Sequence, residues 1–103
     1  MMDGIAYLVQ PGGYIEDDIG QHIPQKEKLL QIFVSISSVS RSEFFNAGSN
    51  GLSPEYVLKT ASVNYSGETE IEYNGTRYSI YRTYLAPDSD DIELYIQKKV
   101  GVL

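Results

Sequence analysis

The chain has 103 residues, 42% of them hydrophobic, with 8 basic and 14 acidic side chains and a formal net charge of −6. That length suits one domain, residues 1–103, burying roughly two-thirds of the surface of its unfolded chain. The absence of cysteine excludes disulfides, thiol nucleophiles and thiolate zinc sites, the acidic balance disfavours bare phosphate backbone, and no run approaches the roughly 18 apolar residues of a membrane span or reads as a secretory leader.

In chain order, residues 4–10 (GIAYLVQ) make one short strand, which PGG interrupts. Residues 11–26 hold two prolines, several glycines and the acidic triplet Glu16-Asp17-Asp18, the composition of a long mobile loop. Residues 27–39 alternate as a long strand, with Leu30, Ile32, Val34 and Ile36 on one face and Gln31, Phe33, Ser35 and Ser37 on the other. The period then changes. Ser40 stands three residues before Glu43, the spacing of a capping box, so one short helix is expected. Phe44 and Ala47 share a side of it, and Gly48 or Gly51 ends it. Past Pro54 a strand over about 55–65 places Val57, Ala61, Val63 and Tyr65 on one face.

Asn74-Gly75 is a strong hairpin signal, because a type I′ turn needs positive φ at both central residues. A two-residue loop pairs Tyr73 with Thr76, Glu72 with Arg77, Ile71 with Tyr78, Glu70 with Ser79 and Thr69 with Ile80. That register puts Ile71, Tyr73, Tyr78 and Ile80 on one face. It leaves Glu70, Glu72, Arg77 and Ser79 in water, where an opposed Glu72–Arg77 pair contributes about 0.2–1 kcal/mol. LAPDSDD at 85–91 turns the chain into a last strand, with Ile92, Leu94 and Ile96 alternating against Glu93, Tyr95 and Gln97. The expected fold is mainly β: a small closed barrel or curled antiparallel sheet of about five or six strands, one short helix and a long mobile loop.

The chemistry-bearing residues are sparse. His22 is the one histidine and lies in the Gly/Pro loop among acids, a poor setting for a nucleophile–base pair. The carboxylate runs Asp17-Asp18, Glu68/Glu70/Glu72 and Asp88/Asp90/Asp91 fall on loops and solvated strand faces, where they aid solubility and turn formation. Asp88, Asp90 and Glu93 supply part of a calcium loop but lack its central glycine. No metal or cofactor is therefore expected, and no enzymatic activity. Nine tyrosines are the compositional oddity. Tyrosine joins a large apolar face to a polar tip and is favoured at protein contacts. The strand Tyr78–Tyr84 also invites base stacking of the kind single-strand-binding barrels use, although 8 cations against 14 acids build a poor electrostatic funnel.

Three phrases in succession, SRSEFFNAGSNGLSPEYVLKT at 40–60, ETEIEYNGTRYSIYRTYL at 68–85 and DDIELYIQKK at 90–99, resemble the head–tail joining proteins of long-tailed bacteriophages, also called head-completion, head-closure or stopper proteins. The likeness covers about residues 27–99. It implies a non-enzymatic virion component, present in the host bacterial cytoplasm during assembly. Such a β-barrel would form a ring of roughly twelve copies, with the portal and adaptor ring above and a tail-completion protein below. Packaged DNA would pass without sequence-specific binding, and no membrane is involved. The loop that plugs the channel in that family corresponds here to Arg41, Ser42, Glu43, Phe44, Phe45, Asn46, Ala47, Gly48, Ser49, Asn50 and Gly51, with 11–26 as the other candidate gate. Tyr81, Arg82, Tyr84 and Tyr95 are the candidate subunit or ring contacts. The competing expectations are a single-stranded nucleic-acid-binding barrel and a carboxylate-based or metal-dependent hydrolase.

Overall fold

Period-two alternation of apolar residues recurs along the chain, and each such run forms a strand. The computed structural model describes residues 2–12, 14–16, 18–24 and 26–99. Its elements are β1 (Met2–Gln10), β2 (Tyr14–Glu16), β3 (His22–Pro24), β4 (Lys28–Ser38), α1 (Arg41–Gly48), β5 (Pro54–Ala61), a 3-10 turn at Ser62–Asn64, β6 (Glu70–Tyr73), β7 (Thr76–Leu85) and β8 (Asp91–Lys98). Six strands close an antiparallel barrel in the order β1-β4-β5-β8-β7-β6, and β2 and β3 form a separate antiparallel pair. Closure depends on β1, which pairs with β4 along its length and with β6 through Ala6–Tyr73, Tyr7–Glu72 and Leu8–Ile71.

The barrel interior is filled by aliphatic side chains and tyrosine rings. Leu8, Leu58, Ile71, Leu94 and Ile96 are the largest fully buried side chains. Tyr56, Tyr65, Tyr73 and Ile80 pack around the central cluster. The Tyr56 ring meets Tyr73 and Tyr78 edge-on at centroid distances of 6.0 and 6.1 Å, an arrangement that suits the ring quadrupoles. Gly4 admits this packing: a Cβ there would lie 2.8 Å from Ile36 Cδ1 and 3.5 Å from the Tyr73 ring.

The β6–β7 hairpin forms in the expected register, with Asn74 and Gly75 at φ of 56° and 78° as a type I′ turn requires. The Ile80 N–H donates to the Thr69 carbonyl, extending the pairing by one step. The Glu72–Arg77 pair does not materialise. These residues are opposite in the ladder, but the Arg77 guanidinium reaches diagonally to Glu70 at 3.1 Å and across to Glu27 at 3.0 Å. Glu70 is itself shared with Lys99 Nζ at 3.0 Å, which concentrates cation on that neighbour.

Other departures have physical causes. β5 ends at Ala61 instead of running to residue 65, because the 3-10 turn re-aims the chain. Tyr56, Leu58 and Thr60 therefore share the inner face, and Val63, expected on one strand face with Val57, Ala61 and Tyr65, lies in the 3-10 turn and is 88% exposed. Val57 is buried on the outer face of β5, the strand on which α1 packs. Leu30 belongs to the inner row of β4 but stays 38% exposed, because the register between β4 and β5 covers only Ser35–Ser38 with Tyr56–Lys59. Glu68, placed by its sequence neighbours on a solvated face, is buried beside Gln10 and Ser66. Residues 11–26 are more than a loop, since they carry the β2–β3 pair, with register Tyr14–Pro24, Ile15–Ile23 and Glu16–His22. Asp17 and the His22 side chain lie outside the described residues.

Inner and outer positions of β5 and its continuation should respond very differently to truncation. Leu58→Ala is expected to cost about 2–5 kcal/mol, whereas Val63→Ala should stay within about 0.5 kcal/mol; denaturant midpoints at constant m measure both.

Candidate functional site

The segment 41–51, the channel-loop candidate, is mostly helix. The Ser40 hydroxyl accepts from the Glu43 N–H at 3.2 Å, the forward half of the capping box. The helix is closed at its other end by a Schellman arrangement: the Leu52 N–H donates to the Ala47 carbonyl, and that of Gly51, at φ 80°, donates to Gly48. Ser49 and Asn50 donate their side chains to the Asn46 carbonyl, tightening the same turn. Ala47 is buried, whereas Arg41, Ser42, Phe44, Phe45, Asn46 and Gly48 are exposed.

The return half of the capping box is absent because Glu43 is engaged elsewhere. Its carboxylate accepts from the Tyr81 hydroxyl at 2.7 Å and from Arg82 through both Nε and Nη2. The local cause is a β-bulge. The register between β7 and β8 shifts between Ile80 and Arg82, so Tyr81 is an extra residue. Tyr81 and Arg82 then reach the same carboxylate. The Arg82 guanidinium lies 3.8 Å over the centre of the Tyr95 ring, a cation–π contact, and the Tyr81 and Tyr95 rings sit 6.3 Å apart. The Tyr95 hydroxyl donates to Glu93 at 2.7 Å. A shallow depression of about 390 Å³ lies beside the cluster, lined by Glu43, Asn46, Ala47, Asn50, Leu52, Tyr81 and Arg82.

Of the contact candidates, the structure thus joins Tyr81, Arg82 and Tyr95 to Glu43 of the channel-loop candidate. It leaves half-exposed Tyr84 outside the cluster. The sequence signal that could have revealed the joint is Glu43 itself, a capping-box acid with two competing donors. The bulge that delivers them carries no glycine or proline to announce it.

The electrostatics favour a fixed joint over proton exchange. The Arg82 hydrogen bond outweighs burial and, with Tyr81, holds the Glu43 carboxyl below its ordinary range. Burial and then the Glu43 carboxylate push the Tyr81 hydroxyl far up. One partner stays ionised and the other protonated across the neutral range. Elsewhere, burial raises Glu68, but hydrogen bonds from Gln10 and the Ser66 N–H more than offset it, so this buried acid is also held ionised. Among the described residues no three His, Asp or Glu side chains are grouped to hold a metal ion. Arg77, Arg82, Lys98 and Lys99 each lie within 4.0 Å of a carboxylate. Tyr78, in the strand that invited base stacking, is buried in the core. Compared with protein-family models and with curated proteins, the chain matches none.

The lowered Glu43 pKa has a definite sign. Its stabilisation is complete above the ordinary carboxylate range and is lost as pH falls through the lower value of the folded protein. Glu43→Gln should therefore lower stability at neutral pH and flatten the acid limb of the stability profile, as read by denaturant midpoints at a series of pH values. An unchanged acid limb would show that Glu43 contributes nothing to the profile.

Proposed function

We propose that the protein is a structural, non-enzymatic component of a bacteriophage or prophage head–tail connector, a ring-forming stopper. In this role it closes the portal channel, retains packaged DNA and offers the tail a docking surface. The single observation that carries the reading is how the three phrases of the resemblance sit in the fold. The first is α1 with β5, the second the β6–β7 hairpin and the third β8. Those strands are contiguous in the barrel as β5-β8-β7-β6. The first two phrases are tied by Glu43 to Tyr81 and Arg82, and the third joins through Tyr95. What resembles the family in sequence is thus one continuous, cross-braced unit.

The chemistry suits that role. The Glu43, Tyr81, Arg82 and Tyr95 side chains are engaged with one another as a brace, which suits a domain that acts through its surface and shape, and the net charge of −6 keeps a passing duplex from adhering. The segment 41–51 is the plug in this reading. Its terminal turn at Gly51 and its anchorage through Glu43 define the body from which it projects. Copies stand head-to-tail in a ring of roughly twelve, between the portal and adaptor ring and the tail-completion protein.

Addition of the purified protein to DNA-filled capsids lacking their joining protein should preserve the packaged DNA and permit tails to attach. Replacing residues 44–51 by a short glycine linker should release the DNA while leaving the barrel's circular dichroism intact. Capsids that leak equally with and without the protein would refute the assignment, and retention by the linker variant would remove the plug from segment 41–51.

A further inference from the structure

The chain has three phenylalanines, and none is in the core. Phe33 is 74% exposed, Phe44 53% and Phe45 65%. Aromatic side chains carry much of the energy of protein contacts, so placing all three in water marks surfaces that are covered in the assembled state. They fall into two groups of opposite shape. Phe44 and Phe45 form an edge-to-face pair on α1 with ring centres 6.1 Å apart, a convex knob. Phe33 stands opposite Ile5 in the β1–β4 ladder, and both line a groove of about 650 Å³.

That groove exists because β4 and β5 part company beyond the Ser35–Lys59 pair. The Thr60 hydroxyl bridges the parting strands by donating to the Phe33 carbonyl at 2.9 Å, and the Asn64 amide donates to Thr60 at 3.0 Å. Lys59, Thr60, Ala61 and Asn64 complete one wall, with Asp3 and Asp91 among the lining residues. No residue of α1 lines the groove, and α1 is held by Glu43 against Tyr81 and Arg82, so a copy does not fill its own groove.

We propose that the occupant is a second copy of this chain, with the Phe44–Phe45 knob of one copy seated in the Ile5–Phe33 groove of the next. Charge supports the match. Arg41, exposed on the first turn of α1, holds no ion pair among the described residues. A cation there opposes the helix dipole, so helix stability does not account for it. Asp3 and Asp91 in the groove hold no ion pair among the described residues either, and they offer Arg41 partners when the knob is seated. Because knob and groove are different patches, the contact is heterologous, and it propagates until rotation closes a ring. This deepens the ring-forming reading and rests on it for the closure, and it narrows the plug: Phe44 and Phe45 lie in the seam between copies, and the exposed residues Asn46, Gly48, Ser49, Asn50 and Gly51 are the part of segment 41–51 left to face the channel.

A heterologous contact has a distinctive test. Phe44→Ser/Phe45→Ser removes the knob and leaves the groove. Ala61→Arg, at an exposed position, obstructs the groove and leaves the knob. Sedimentation equilibrium should show the wild-type chain associating as concentration rises. Each variant alone should associate at least about tenfold more weakly, and an equal mixture of the two should form a heterodimer that grows no further. Circular dichroism and thermal melts verify that both variants fold. A wild-type chain that stays monomeric towards millimolar concentration, variants that self-associate normally, or a mixture that does not pair would each overturn the contact. On capsids, normal rings and DNA retention by the knobless variant would also defeat the contact while sparing the connector reading. Paired variants in solution with a wild type that retains no DNA would defeat the connector reading and sustain the contact.

Discussion

Everything in this fold depends on β1 hydrogen-bonding on both sides. Ala6 and Leu8 face Ile32 and Leu30 across one ladder and Tyr73 and Ile71 across the other. Without the second ladder the six strands would be a curled sheet with two raw edges, and edges invite pairing with other chains. With it, the apolar faces of all six strands point into one interior. Gly4 is part of the same constraint, because Ile36 and the Tyr73 ring occupy the space a side chain would need. The tyrosines at this junction fill volume with their rings, and the Tyr56 ring packs edge-on against both Tyr73 and Tyr78.

The second organising feature is the extra residue in β7. One inserted position at Tyr81 lets a strand that is inward-facing at Tyr78 present two consecutive polar side chains to a helix outside the barrel. Buried and half-buried hydrogen bonds to a charged acceptor are stronger than neutral ones, and here one carboxylate receives both a phenol and a guanidinium. The helix itself is short, with a single buried residue, Ala47. Helices of this length are not stable alone, so its position is owed chiefly to Glu43 and to the capped ends.

Much of the fold was legible in the residues because local rules and global fold agree there. Asn74-Gly75 dictates its turn, and the turn dictates the register of four ladder pairs. The alternation of Ile92, Leu94 and Ile96 survives unchanged as the inner face of β8. Ser40 caps the helix it was expected to cap. The failures occur where a tertiary contact overrules a local pattern. Val63 fits a strand period, but the chain has already turned at Ser62, whose N–H is committed to the Asp90 carbonyl. Glu68 reads like Glu70 and Glu72 until Gln10, 58 residues away at the end of β1, supplies a part-buried donor. The joint at Glu43 was half visible: the acid and its capping role are local, but the Tyr81 bulge that captures it is a property of the closed sheet. The proposed ring, portal and tail partners rest on the resemblance alone, and no spacing in the chain encodes them.

The unequal lengths of the seams have a mechanical meaning. β1 and β4 zip together over the full 9 residues of β1, yet this ribbon is stitched to the rest by only three opposed positions at β6 and four at β5. Fluctuations that breach either seam would swing the ribbon as a single leaf, with its own ladder intact, before any strand within it frays. The barrel is thus built like a clasp, in which the longest ladder forms the moving jaw and the helix-braced strands form the fixed one.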